Sequence, residues 1–209
     1  MKEPTGTREL ASAALLASLT AVGAYIAVPM FGVVPFTLQV LFVLLSGLML
    51  GARLGALSML AYVALGLVAP VYAGGTSGIG ALFGPPGGYV WGFVVAAFVV
   101  GTIMERLKPR RLVGLTLTGL AGLVPIYALG ATWLALQIGL SFELAIWMGV
   151  VQFLPADVAK AILAGALVRA LCATPLSLPS LRTDTAPAGR RPLRGPRAGV
   201  TMKSAEVKK

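Results

Sequence analysis

The sequence contains no histidine, a single cysteine and few charged residues, and each absence removes a class of function. Gly75-Thr76-Ser77-Gly78 matches a GxSG nucleophile motif, but no histidine is present to act as the usual base for a serine nucleophile. Cys172 alone can form neither a disulfide framework nor a cysteine metal cluster. No GxxxxGK[ST] motif occurs, so we expect no P-loop nucleotide site on this chain.

The charged residues amount to only 11% of the chain, whereas 57% of the residues are hydrophobic and the mean hydropathy is +0.89. A soluble domain carries about 25% charged residues, so this composition indicates a bilayer protein. A membrane-spanning helix needs about 20 mostly apolar residues. Six runs approach that length and predict an all-α, six-helix membrane bundle, with spans at 10–28, 36–52, 54–70, 88–104, 112–138 and 145–171.

The charges between these runs predict the orientation of the chain. Lysine and arginine collect in cytoplasmic loops, and here they precede the first run, follow the second at Arg53 and occupy 106–111. The loops 29–35 and 71–87 carry no charge. We therefore expect a multi-pass membrane protein, with a cytoplasmic segment 1–9, a membrane domain 10–172 and both termini in the cytoplasm.

The net charge of +10 does not indicate a nucleic-acid partner, because most of it lies in a basic tail, residues 173–209. This tail is rich in proline, arginine and serine and has little apolar periodicity, so we predict a disordered cytoplasmic segment. Its cations are expected to enforce the topology and to contact anionic membrane lipids.

Two rows of small residues predict close helix packing. Gly47, Gly51 and Gly55 recur at a spacing of four residues, and we expect this row to pack inside the chain. A second row occupies the first predicted helix and is formed by Ala13, Ala17 and Ala21. This alanine row could either pack internally or face outward and dock a second membrane protein, and we predict docking.

Two uncharged segments on the predicted external side have the composition of irregular structure. Residues 71–89, VYAGGTSGIGALFGPPGGY, contain seven glycines and two adjacent prolines, which exclude one continuous helix. Irregular backbone is tolerated at membrane depth only against protein or a water-filled cavity. We therefore expect 71–89 to fold over a cavity. Residues 34–39, VPFTLQ, are expected to bring Thr37 and Gln39 to the outer end of the second helix.

The last predicted helix carries a carboxylate and an ammonium group one turn apart, in FLPADVAKAILAGAL. Asp157 and Lys160 share one helix face, and a charge at the bilayer centre costs about 2.5 to 3.5 kcal/mol. The pair must therefore face the bundle interior, with Gln39 and Gln152 as candidate polar neighbours. Pro155 either begins a helix near the outer face or kinks one long helix. Intramembrane ions of this kind indicate a ligand site, and a purely structural salt bridge is the alternative.

VPFTLQ, AGGTSGIGALFGPPGGYVWGF and PADVAK, in this order, resemble the BioY family, the biotin-binding S components of energy-coupling factor (ECF) transporters. The resemblance covers residues 8–172. It implies an S-component-like six-helix fold that binds biotin externally and assembles with a transmembrane T subunit and cytoplasmic ATPases. In this scheme the partners hydrolyse ATP, and the chain itself is not an enzyme and holds no cofactor or metal.

The resemblance also implies a set of substrate-binding residues. Lys160 is expected to pair with the valerate carboxylate of biotin, and Asp157 to accept an N–H from the ureido ring. The remaining binding residues implied are Gln39, Gly74, Gly75, Thr76 and Tyr89. The alternatives that remain are an S component for another vitamin, an intramembrane lipid-modifying enzyme with Asp157 as its base and, least favoured, a channel, since no ring of pore charges is evident.

Overall fold

The computed structural model describes residues 6–173, so the predicted basic tail lies outside the described residues except for Ala173. The long helices are α1 (Thr7–Tyr25), α2 (Gln39–Val68), α4 (Gly87–Leu107), α5 (Leu112–Ile138) and α7 (Leu154–Ala173). Two short helices, α3 (Gly78–Leu82) and α6 (Phe142–Ile146), lie between them, with a 3-10 turn at Ala73–Gly75 and a π-helical turn at Trp147–Val151. The described residues also contain a small antiparallel pair, β1 (Ala27–Val28) and β2 (Phe36–Thr37). The all-α prediction is corrected at this point, because it placed these residues at the ends of the first two helical spans.

Within residues 6–173, three helices are long and apolar enough to cross a membrane: α2, α4 and α5. A fourth candidate is the pair formed by Phe142–Val151 and Leu154–Cys172, which are bent by 41° at their junction. The helix α1 begins at Thr7, earlier than predicted, and carries Glu9 in its first turn. These helices agree with a multi-pass membrane protein, whereas the count of six spans and the orientation of the termini stay predictions.

The helix α2 reverses direction within its 30 residues. In a straight helix Gln39 and Tyr62 would lie about 34 Å apart, since the rise is about 1.5 Å per residue. Here the Gln39 amide donates a hydrogen bond to the Tyr62 hydroxyl. A Cβ atom added to Gly55 would lie 3.0 Å from the Ser46 carbonyl oxygen, so the two arms of α2 touch there. Residues 39–50 and 52–68 therefore form a helical hairpin, which matches the two separate runs seen in the sequence.

Gly51 makes this reversal possible. Its φ of 81° and ψ of −175° lie in a region that is essentially restricted to glycine. The second arm begins at Ala52, whose amide N–H donates to the Glu105 carboxylate on α4 at 2.9 Å. An anion at a helix N-terminus satisfies an unpaired N–H group and interacts favourably with the helix dipole. Gly47 and Gly55 pack against α4 and the first arm respectively, as expected of the glycine row.

The alanine row does not face outward. Ala13, Ala17 and Ala21 are all buried, and the Ser58 hydroxyl of α2 donates to the Ala13 carbonyl at 2.7 Å. The small side chains let α1 approach the second arm of α2, so the row is used for packing within the chain. The burial contradicts an outward-facing row, whereas docking of a partner at these three residues stays a prediction.

The remaining helices close the bundle around α2, which packs against α1, α4 and α7, while α5 packs against α4 and α7. The β1–β2 pair, the 71–86 segment and the beginning of α7 meet at one end of this bundle. The uncharged loops that the sequence predicts to be external therefore lie at the same end. Gly51 lies at the other end of the first arm, about 18 Å along the helix from Gln39.

Candidate functional site

The first turns of α7 hold the two intramembrane charges. The helix begins at Leu154, and Pro155 lies in its first turn, where proline is tolerated because no intrahelical partner is lost. Asp157 follows in the same turn, where the helix dipole favours an anion. The Lys160 Nζ atom lies 2.6 Å from Asp157 Oδ1, and the two residues are 5% and 2% exposed. The helical piece Phe142–Val151 is bent by 41° from α7 at this junction, so a helix start and a kink of one long span both remain consistent with the structure.

Other elements complete the surroundings of this ion pair. The Tyr127 hydroxyl on α5 donates to Asp157 Oδ2 at 2.6 Å. Lys160 Nζ also donates to the Thr37 carbonyl oxygen of β2 at 2.6 Å and lies 3.8 Å from the centre of the Phe36 ring. This distance is within the range of a cation–π interaction. Each charge is therefore held by at least two groups, which explains how an apolar bundle tolerates them.

A chain of neutral hydrogen bonds continues from β2 into α2. The Thr37 hydroxyl donates to Gln39 Oε1 at 2.9 Å, and Gln39 Nε2 donates to the Tyr62 hydroxyl. Tyr62 in turn donates to the Val71 carbonyl oxygen at 3.1 Å. Since a carbonyl oxygen can only accept, the Tyr62 proton is committed to Val71, and the Gln39 amide must be the donor to Tyr62. The orientation of the Gln39 side chain is thereby fixed.

The ion pair lines a cavity with about 650 Å³ of space not filled by atoms, part of which is open to solvent. Three phenylalanines and several aliphatic residues form most of the wall. The polar side chains that line it are Thr37, Gln39, Tyr72, Thr76, Tyr89, Tyr127, Asp157 and Lys160. A cavity with apolar walls and a few convergent polar groups is typical of a ligand site.

The 71–89 segment folds over this cavity, as its composition predicted. Ala73, Thr76, Ala81 and Pro86 contribute to the lining. Tyr72 anchors the segment, because its hydroxyl donates to the Val63 carbonyl of α2 at 2.7 Å. Burial raises the pKa of Tyr72, so its hydroxyl keeps the proton that this hydrogen bond needs.

Five of the predicted binding residues line the cavity: Gln39, Thr76, Tyr89, Asp157 and Lys160. The Tyr89 hydroxyl donates to the Gly149 carbonyl oxygen at 2.9 Å, so this residue also ties α4 to the π-helical turn.

Gly74 and Gly75 are not among the residues that line the cavity. They form the tight turn that places Ala73 and Thr76, with φ values of 69° and 76°. A role for these two glycines in binding stays a prediction.

The two glutamines suggested as polar neighbours of the ion pair have different positions. Gln39 belongs to the cavity wall, whereas Gln152 does not. Gln152 lies between the π-helical turn and α7, and its Nε2 donates to the Phe31 carbonyl oxygen at 2.9 Å and to the Met148 carbonyl. It therefore fastens the 29–35 loop to the α6–α7 junction.

Sequence reasoning missed Tyr127, Tyr72 and Phe36. Tyr127 is the only one of them with a direct bond to the ion pair, and its signal in the sequence is weak, being one tyrosine in a long apolar run. Nothing in its spacing relates it to Asp157, which is 30 residues away. The pairing depends on how α5 packs against α7.

The arrangement can recognise a small ligand that carries both an anionic group and N–H donors. Lys160 is the only cation that lines the cavity within the described residues, and Asp157 the only anion. No cluster of three or more histidine, cysteine, aspartate or glutamate side chains suited to a metal ion occurs in residues 6–173. The chemistry available here is binding through an ion pair and directed hydrogen bonds.

Comparison with known proteins identifies the group to which this site belongs. The family model for BioY matches residues 1–175, which is most of the chain. The chain belongs to the BioY family. A Pyrococcus horikoshii relative named "Probable biotin transporter BioY" is 45% identical over 155 residues, which cover 74% of this chain and 90% of the relative. The Thermotoga maritima "Biotin transporter BioY" is 41% identical over 158 residues, covering 75% and 91%.

A solved structure supports the fold of this BioY family member. The crystal structure of the S component for biotin from an ECF-type ABC transporter matches with a TM-score of 0.76 and 28% sequence identity. The match covers 83% of this chain and 95% of the solved chain. The bundle described above is therefore similar to an ECF S component over nearly its whole length.

Proposed function

We propose that this BioY family member is the biotin-binding S component of an ECF transporter, which captures biotin on the outer face of the membrane. The observation that carries the proposal is the buried ion pair of Asp157 and Lys160, which lines a cavity beneath the uncharged loops. Burying a charge pair in a membrane bundle costs free energy, so its presence here indicates a functional role. The names of the relatives and of the solved S component support biotin as the ligand.

The two charges suit the two polar ends of biotin. Lys160 would bind the valerate carboxylate by a charge-assisted hydrogen bond, exchanging its bond to the Thr37 carbonyl or part of its contact with Asp157. Asp157 accepts one hydrogen bond at each oxygen and has lone pairs left for a ureido N–H. Gln39 and Thr76 also line the cavity, and the phenylalanine rings provide an apolar surface for the remainder of the ligand.

Release of biotin would depend on partner proteins. A transmembrane T subunit and cytoplasmic ATPases would hydrolyse ATP and tip this chain in the membrane, so that biotin leaves on the inner side. We place the chain in a prokaryotic plasma membrane with six spans and both termini in the cytoplasm. The reversal of α2 at Gly51 supports this count, because it makes two spans from one continuous helical element.

A ligand panel tests the proposal directly. The full chain, purified in detergent, is titrated separately with biotin, thiamine and riboflavin, and heat release or tryptophan fluorescence is recorded. The proposal predicts saturable binding of biotin at one site per chain and none of the other two vitamins. Tight binding of thiamine or riboflavin without biotin would overturn the assignment in favour of an S component for that vitamin. Product formation from a lipid by the isolated chain would instead favour an enzyme.

A further inference from the structure

Tyr127 makes a hydrogen bond to Asp157 from a different helix. Its hydroxyl lies 2.6 Å from Oδ2, and its side chain is nearly buried in the wall of the cavity. The other side-chain bond to this carboxylate comes from Lys160, which stands on the same helix as Asp157. Tyr127 is thus the contact that fixes the carboxylate relative to the α5 side of the cavity.

The direction of this bond follows from the chemistry of the two groups. An ionised carboxylate can only accept, so the phenol proton points at Asp157. A distance of 2.6 Å is in the range of charge-assisted O–H···O⁻ bonds, which are about twice as strong as neutral ones. Tyr127 therefore restricts rotation of the carboxylate plane.

The consequence is a defined pattern of free acceptors. A carboxylate offers about four lone-pair positions. Lys160 uses one on Oδ1 and Tyr127 uses one on Oδ2, so each oxygen keeps acceptor capacity for a ligand donor. If the Tyr127 hydroxyl were absent, the carboxylate could rotate so that both oxygens faced Lys160, and its acceptors would no longer be held in place.

We infer that Tyr127 is a positioning residue, which holds the Asp157 carboxylate in the orientation that accepts an N–H donor of the ligand. The inference rests on the proposed function in that biotin is the ligand used to detect it. It extends that function to a residue on α5 that acts through Asp157.

Comparison of two ligands can report this role. Biotin has a carboxylate and two ureido N–H donors, whereas lipoate has a pentanoate carboxylate and a sulfur-containing ring but no N–H donor. A contact that only supports the fold affects binding of both ligands alike, whereas a contact that orients the Asp157 acceptors affects biotin selectively.

The experiment compares Tyr127→Phe with wild type in titrations with biotin and with lipoate at pH 7. We expect Tyr127→Phe to weaken biotin binding by about tenfold or more, as for loss of a hydrogen bond to a charged group. We expect the weaker binding of lipoate to be unchanged, because this ligand has no N–H donor for Asp157 to accept. Tyr25→Phe is the matched control, since it removes a 2.6 Å bond from a tyrosine to the Pro70 carbonyl outside the cavity lining.

The outcomes separate this inference from the proposed function. If wild type does not bind biotin, the proposed function fails. If wild type binds biotin and Tyr127→Phe binds it equally well, or weakens biotin and lipoate by the same factor, the positioning role is overturned. Should Tyr127→Phe not fold, site-specific 3-fluorotyrosine at position 127 preserves the shape and makes the phenol a stronger donor. Biotin binding must then be at least as tight as in wild type, and weaker binding overturns the inference.

Discussion

At the scale of single residues, the site shows how a membrane interior accommodates two opposite charges. Asp157 and Lys160 neutralise each other, and groups from α5 and β2 take up further hydrogen-bonding positions. Breaking a buried ion pair by removing one partner is strongly destabilising, about 3 to 5 kcal/mol, because an uncompensated charge remains. Replacing both partners is often neutral, so stability and ligand binding can be separated by experiment.

We predict that Lys160→Met lowers the thermal unfolding temperature of the ligand-free chain, because Asp157 is left buried without its counter-ion. The double variant Asp157→Asn/Lys160→Met removes both charges and should recover most of the lost stability. Biotin binding should be lost in both variants. Thermal unfolding in detergent and biotin titration on the same samples check this prediction.

A double variant that is as stable as wild type and still binds biotin would assign the pair a structural role only. Wild-type stability of Lys160→Met would show instead that the other groups around Asp157 compensate for the loss of its counter-ion.

At the scale of elements, the hairpin of α2 is the feature that gives the bundle its shape. The reversal needs the backbone conformation of Gly51, the close approach of the arms at Gly55 and the Glu105 carboxylate at the start of the second arm. Because the turn is about 18 Å along the helix from Gln39, it contributes to stability without touching the ligand cavity.

Gly51→Ala should therefore destabilise the chain by about 1 to 3 kcal/mol, the cost of a strained backbone conformation at a residue other than glycine. The added Cβ would also collide with the Glu105 side chain. We expect a lower unfolding temperature with unchanged biotin affinity at low temperature. Gly80→Ala is the matched control, since Gly80 has open space around its Cα and an ordinary φ. Equal stability of the two variants would contradict the account of the turn.

Element-scale predictions from the sequence succeeded where composition decides and failed where packing direction decides. The two apolar runs on either side of Arg53 predicted the two arms of α2. The proline and glycine content predicted the irregular segment 71–89 that folds over the cavity. The facing direction of the alanine row on α1 was wrong, since small residues fit equally well against a partner or against α2. The bond between Tyr127 and Asp157 was not predictable, because it depends on how two distant helices pack.

At the scale of the whole molecule, the charge pattern of the loops can be compared with the two ends of the bundle. The uncharged loops and the cavity lie at one end of the bundle, and the turn at Gly51 lies near the other. The basic residues at 53 and 106–111 are expected on the cytoplasmic side. The three ordered motifs were enough to predict the family, because they carry the ion pair and the cover of the cavity together.

Single-cysteine labelling tests this topology. In a Cys172→Ala background, Phe31→Cys and Ile79→Cys should react with a membrane-impermeant maleimide in intact cells, since both positions are highly exposed on the predicted external loops. Arg53→Cys and Lys108→Cys should react only after permeabilisation. The position of Arg53 is decisive, because α2 as a single straight span would bury it in the bilayer and leave it unreactive in both conditions.

The central claim is that the ion pair of α7 is the biotin site, and equilibrium biotin binding to the purified chain tests it most directly. Isothermal titration of wild type is compared with Asp157→Asn and Lys160→Ala, with folding of each variant checked by size-exclusion chromatography. The account predicts tight, saturable binding by wild type and loss of binding in both variants. A folded wild type that does not bind biotin, or folded variants that bind it as wild type does, would contradict the account.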